Sequence, residues 1–161
     1  MIRRQQLGRE QALQKIRQYC AYQERSHAEV REKLYSFGLW TKDVEFIISQ
    51  LIEEDYLNEE RFATAFAGGK FRMKSWGRVR IRHELKQKRV SEYCIKKALR
   101  EIDEADYLSR LEKLGTEKWE SLKSERNIFI RKRKVQDYLL QKGYEADLVG
   151  KLLTEINKKE K

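Results

Sequence analysis

The sequence predicts an all-α protein of three tandem three-helix repeats forming an elongated, curved body. Two observations carry that prediction. The 161 residues contain no proline and only eight glycines, which removes the punctuation of sandwiches and barrels and leaves helices joined by short turns. The segment from Val30 to Leu51 also recurs from Ile81 to Ile102 and again from Val135 to Ile156, at offsets of 51 and 54 residues. A three-helix unit buries little surface alone, whereas three in series share interfaces.

In the first copy, Leu13, Ile16 and Cys20 mark an upstream amphipathic helix. Ser26 and Glu29 then form an S-x-x-E capping box ahead of a second helix with its apolar pair at Val30 and Leu34. Gly38 closes that helix, Leu39 follows at the turn, and Thr41 is placed to cap the third. Val44, Ile47, Ile48 and Leu51 stand at i, i+3, i+4 and i+7, which puts all four on one helix face.

In the second copy, Asn58 and the acidic pair Glu59 and Glu60 signal a helix start, with Phe62, Ala65 and Phe66 as its apolar face. The stretch GGKFRMKSWG, Gly68 to Gly77, reads as a loop. Ile81 and Leu85 repeat the apolar pair, Val90 the turn position, Ser91 the cap, and Ile95, Ala98, Leu99 and Ile102 the second stripe. Arg89 stands where the other copies have glycine, so this turn is either strained or differently wound.

The third copy has a longer lead-in: Leu108, Leu111 and Leu114, then Trp119, Leu122, Phe129 and Ile130. Val135 and Leu139, Gly143 and Tyr144, and Val149, Leu152, Leu153 and Ile156 complete the register. The expected modules are residues 1–57, 58–104 and 105–161.

Charge separates the copies. The formal charge is +10, yet residues 1–60 carry 9 basic against 11 acidic groups, residues 61–100 carry 13 against 2, and residues 101–161 carry 14 against 13. The excess therefore belongs to the middle copy and favours an anionic partner. Lys70, Arg72, Lys74, Arg78, Arg80, Arg82, Lys86, Lys88 and Arg89 crowd twenty residues whose one acid is Glu84. Arg78, Arg82 and Lys86, at i, i+4 and i+8, form a basic edge beside Ile81 and Leu85, and Arg80 is placed to pair with Glu84. A solvated face is the alternative for that edge. Phe71 and Trp76, interleaved with Lys70, Arg72 and Lys74, either stack bases while the cations contact phosphates or pin the segment to a neighbouring repeat. A second run, Arg131, Lys132, Arg133 and Lys134, extends the candidate track.

Other chemistry has little footing. Gly68 and Gly69 are not followed by GK[ST], so a nucleotide-binding phosphate loop is unsupported. Cys20 and Cys94 lack CxxC spacing and read as reduced packing residues. His27 and His83 belong to no nucleophile or metal pattern, and the chain reads as a non-enzyme without metal or cofactor. The acidic residues Glu53, Glu54, Asp55, Glu59 and Glu60 either favour helix starts or face a basic protein surface. No apolar run reaches a bilayer's width and MIRRQQLGRE has no apolar secretory segment, so a soluble, cytoplasmic protein with no membrane partner is expected.

YLNEERFATAF at Tyr56–Phe66, WGRVRIRHELKQK at Trp76–Lys88 and SHAEVREKLYSFG at Ser26–Gly38 resemble the RecX regulatory proteins of bacteria, over nearly the whole chain. The resemblance implies three tandem three-helix repeats and a modulator, usually an inhibitor, of the RecA recombinase. Such a protein lodges in the helical groove of the RecA filament on single-stranded DNA. It further implies no cofactor, a monomer, and single-stranded DNA, with double-stranded DNA as a second candidate. The middle-repeat signature maps to Tyr56, Leu57, Arg61, Phe62, Ala63, Gly77, Arg80, Ile81, Glu84 and Leu85, most of them structural in this reading; Arg89 departs from the glycine that usually ends this helix. The alternative function is a free-standing, non-sequence-specific nucleic-acid-binding repeat protein.

Overall fold

The computed structural model describes residues 7–159. The stretch MIRRQQ, part of the opening segment considered above, and the last two residues lie outside the described residues. The described residues form nine helices and no strand: α1 Arg9–Tyr22, α2 His27–Ser36, α3 Thr41–Glu53, α4 Glu59–Lys74, α5 Arg78–Gln87, α6 Glu92–Arg100, α7 Glu104–Ser121, α8 Ile128–Lys142 and α9 Ala146–Lys159. None of them is long and apolar enough to cross a membrane.

The fold class agrees with the expected register. Val30, Ile81 and Val135, and Leu34, Leu85 and Leu139, are all fully buried, and the stripes that run along α3, α6 and α9 are buried as well. Burying such a stripe supplies most of a short helix's stability, since an isolated helix of this length is marginal in water. Helix starts are marked largely as expected. Glu29 N–H donates to Ser26 Oγ at 3.0 Å, Arg61 N–H to Asn58 Oδ1 at 2.9 Å and Cys94 N–H to Ser91 Oγ at 3.3 Å. Thr41 departs: Trp40 occupies the cap position of α3, and the Thr41 hydroxyl instead accepts from Tyr35 Oη at 3.2 Å.

All three copies turn alike between their second and third helices. Gly38, Arg89 and Gly143 have φ of 84°, 60° and 103°. Their N–H groups donate to Tyr35, Lys86 and Leu140 carbonyls at 2.9, 3.0 and 3.0 Å, respectively. Arg89 thus keeps the left-handed turn and bears its strain, of order 1 kcal/mol.

Contacts divide the chain into two compact units. One comprises the residues up to Phe66 with Leu85–Ala98, and the other Ala67–Glu84 with the residues from Leu99 onward. In the first, Ala12, Ile16 and Cys20 of α1 meet Val30 and Leu34 of α2 and the α3 stripe, with Leu57 closing the cluster. In the second, Tyr107, Leu111 and Trp119 of α7 are buried together with Val135, Leu139 and Tyr144.

The upstream helices differ in phase from the sequence reading. In α4, Ala63 and Ala67 are buried and Ala65 is exposed; in α7, Tyr107 is buried and Leu108 exposed. The Gly68–Gly77 segment is not a loop: α4 continues through both glycines to Lys74 and ends at Ser75, whose φ is 58°. Its apolar face continues at Ala67 and buried Phe71, and that continuation outweighs the helix cost of two glycines, about 1 kcal/mol each. Phe129, read as part of the apolar lead-in, is 83% exposed.

Candidate nucleic-acid or filament interface

The candidate cations fall into distinct environments. In the second unit, α4 ends with Lys70, Arg72 and Lys74, and a short turn leads through Trp76 to α5. The Lys70 ammonium lies 5.1 Å from the Trp76 ring centroid, and the Arg80 guanidinium lies over the same ring at 4.2 Å. Arg80 therefore does not form the expected pair with Glu84; it also reaches the Gln141 carbonyl at 3.5 Å. Phe71 is buried and Trp76 is half-buried beside its own chain's cations, so both aromatics pack within the unit. Arg72 and Lys74 are exposed.

Arg78, expected on a free basic edge, is held internally. Its Nη1 donates to Glu104 Oε2 at 2.8 Å, its Nε to Glu145 Oε2 at 2.8 Å, and its guanidinium lies 3.9 Å above the Tyr107 ring. Its backbone N–H donates to Tyr107 Oη at 3.0 Å, and that hydroxyl donates to Glu145 Oε1. Burial alone lowers the Arg78 pKa; hydrogen bonds to Glu104 and Glu145, with the nearby charge of Glu145, more than reverse this and leave it raised. Burial and the bond to Glu145 push the Tyr107 phenol up, and burial pushes Tyr144, 5.2 Å away ring to ring, to about 12.

Of the other α5 candidates, Arg82 is half-buried and Lys86 is exposed, 3.9 Å from Glu92. In the run on α8, Arg131 is 6% exposed and not a surface cation. Its guanidinium donates to the Trp119 carbonyl at 3.1 and 2.8 Å and covers that ring at 3.8 Å. Lys132 is half-buried, Arg133 exposed, and Lys134 lies 3.7 Å from Glu125. The exposed cations of the candidate set are thus Arg72, Lys74, Lys86, Arg133 and Lys134.

Most of the signature residues pack or pair. Leu57, Phe62, Ala63, Gly77, Ile81 and Leu85 are buried. Arg61 pairs with Glu24 and Asp55, Glu84 is half-buried, and Tyr56, partly exposed, lies 5.9 Å from the Arg17 guanidinium. Three of the acidic residues meet partners on other helices or turns of the same unit: Glu54 pairs with Arg17, Glu60 with Lys97, and Glu59 accepts the Ser91 N–H. Tyr107, Glu145 and Arg110 are structural partners that the sequence reading did not single out. Only the i, i+4 spacing of Tyr107 and Leu111 carried a signal for the first.

Among the described residues no group of three His, Cys, Asp or Glu side chains is placed to hold a metal ion. Cys20 and Cys94 are buried, and burial pushes the Cys20 thiol up to about 11. His83 is exposed; His27 has a buried Nε2 without a hydrogen-bond partner.

Helices in successive threes, with a cation-rich middle copy, define an all-helical protein of the tandem three-helix-repeat class. Residues 58–99 match the family model for the second three-helix domain of RecX, and residues 104–153 the model for the third. The chain is 33% identical over 135 residues to regulatory protein RecX of Shigella sonnei, covering 77% of this chain and 78% of the relative. It is 28% identical over 145 residues to regulatory protein RecX of Prosthecochloris aestuarii, covering 90% and 93%. The fold matches a crystal structure of RecX from Lactobacillus salivarius with a TM-score of 0.84 at 20% identity, covering 92% of this chain and 96% of that one. A second crystal structure of regulatory protein RecX matches with a TM-score of 0.80 at 22% identity, covering 89% and 70%. The chain belongs to the RecX family of regulatory proteins.

Proposed function

We propose that this protein binds the filament of RecA recombinase on single-stranded DNA and inhibits its ATP hydrolysis and strand exchange. The observation that carries this reading is the concentration of charge in the middle copy, 13 basic against 2 acidic groups in residues 61–100, within a chain of the RecX family. Arg78 is paired internally and Arg131 is buried, which leaves Arg72, Lys74, Lys86, Arg133 and Lys134 as the exposed cations of the candidate set for a polyanionic assembly. The protein acts as a soluble cytoplasmic monomer in this reading, and the modules 1–57, 58–104 and 105–161 are its successive contact segments.

The test is RecA ATP hydrolysis and strand exchange at saturating protein: both fall if the reading is right, and undiminished activity rejects it. A free-standing nucleic-acid-binding role is favoured by the same excess of cations. Binding to bare and RecA-coated single-stranded DNA across salt separates the two, since preference for coated DNA supports the regulator and equal affinity the alternative.

A further inference from the structure

We propose that the cleft between the C-terminal end of α4 and the middle of α7 is a phosphate-binding site. It is a hollow of about 220 Å³ lined by Phe71, Arg72, Asp106, Ser109, Arg110 and Lys113. The four α7 residues stand at i, i+3, i+4 and i+7 and share one face of that helix.

Arg110 is fixed in advance. Its Nη1 donates to the Phe71 carbonyl at 3.3 Å, the Arg72 carbonyl at 3.4 Å and Ser75 Oγ at 2.8 Å, and its guanidinium lies 5.2 Å from the Phe71 ring centroid. These contacts use Nη1 alone, so the donors on Nε and Nη2 remain for a ligand. A cation held in place before binding loses little side-chain entropy on binding.

The charge here also lacks the carboxylate partners that several other arginines have. Arg17, Arg31, Arg61 and Arg78 each pair with a carboxylate. Arg72, Arg110 and Lys113 form no ion pair with any described residue, and Asp106 is the one acid in the lining. The cleft therefore carries a net charge of about +2. A guanidinium, an ammonium and a hydroxyl converging from two helices match a tetrahedral anion with several acceptor oxygens. Gly68 fits the same arrangement, because a Cβ there would lie 2.7 Å from Arg72 Nη1. The glycine lets the guanidinium lie against the bare backbone of α4.

The phosphate is either the phosphodiester of a nucleic-acid strand or a free polyphosphate. Neither requires a recombinase, so the site stands or falls apart from the inhibitory role above.

The test uses the full-length protein, its amide NMR spectrum titrated separately with sodium pyrophosphate and with single-stranded oligothymidylate of about 15 nucleotides. Shifts concentrated at Arg72, Ser109, Arg110 and Lys113 support the site. The double variant Arg72→Gln, Lys113→Gln should then bind about tenfold more weakly. Its logarithmic salt slope for the oligonucleotide should fall by about 1.4, from two contacts at roughly 0.7 each. Ser109→Glu, which adds a carboxylate at an exposed position, should abolish binding, with the dispersed spectrum verifying that both variants fold. Saturation by the oligonucleotide alone assigns the site to nucleic acid, and saturation by pyrophosphate as well assigns it to free polyphosphate. Shifts confined to other residues, or variants that bind as tightly as the parent, overturn the proposal.

Discussion

Gly77 and Gly143 cross so closely that a Cβ built on Gly77 would lie 2.3 Å from the Gly143 carbonyl oxygen. The Gly77 N–H donates to the Lys142 carbonyl and the Val79 N–H to the Gly143 carbonyl, both at 2.9 Å. The first N–H groups of α5 are thereby satisfied by the last carbonyls of α8, two sets of groups that a helix cannot pair internally. Gly77→Ala should cost about 2 kcal/mol, because the atoms a methyl group would meet are backbone and cannot rotate away. The expected loss of melting temperature is roughly 4–8 °C, read by circular dichroism; an unchanged transition would mean that this crossing is looser than described.

Arg89→Gly should act in the opposite direction. Relief of the left-handed strain at φ 60° is worth 1–2 kcal/mol, and the added chain entropy of glycine takes back somewhat less. A net gain of about 0.5 kcal/mol is expected, and a urea midpoint lower than the parent's would contradict it.

Arg78→Gln should destabilise the second unit by about 2 kcal/mol, since it strips Glu104, Glu145 and Tyr107 of a shared cation whose side chain is only 23% exposed. Lys74→Gln and Arg133→Gln, both exposed, should stay within about 0.5 kcal/mol of the parent. Chemical denaturation of the three single variants distinguishes them, and equal stabilities would mean that the Arg78 clamp contributes nothing.

Acid should weaken the first unit through His27. Burial lowers its pKa below the usual 6.5, partly offset by the negative charge of Glu59, and its buried Nε2 has no partner to receive a proton's charge. The unfolded chain therefore binds that proton more readily than the fold does. The contribution to stability is complete above pH 6.5 and is lost as pH falls through the folded value. Melting temperatures between pH 7.5 and 5 should decline in the parent and decline less in His27→Gln; parallel profiles would remove His27 as the cause.

The stripes of α3, α6 and α9 were legible because four apolar residues at i, i+3, i+4 and i+7 admit one buried face, and Val44, Ile95 and Val149 are indeed fully buried. The upstream helices were less so. Leu108 and Tyr107 are adjacent apolar candidates with incompatible phases, and packing in the folded unit, not spacing, buried the tyrosine. Gly68 and Gly69 looked like punctuation until the continuing face through Phe71 outweighed them. The cation track was readable as a total and unreadable by residue. Arg78 meets Glu145 across 67 positions of sequence, and Arg131 turns inward to a carbonyl twelve residues back. Neither partner can be inferred from local charge.

Binding of a RecA filament through the exposed cations is tested by the affinity of the full chain for RecA-coated single-stranded DNA across salt, compared with that of a variant carrying Lys74→Gln, Lys86→Gln and Arg133→Gln. Intact folding, weaker binding and a salt slope smaller by about 2, from three contacts at roughly 0.7 each, are expected of this variant. Undiminished affinity with an unchanged slope would contradict binding through these cations.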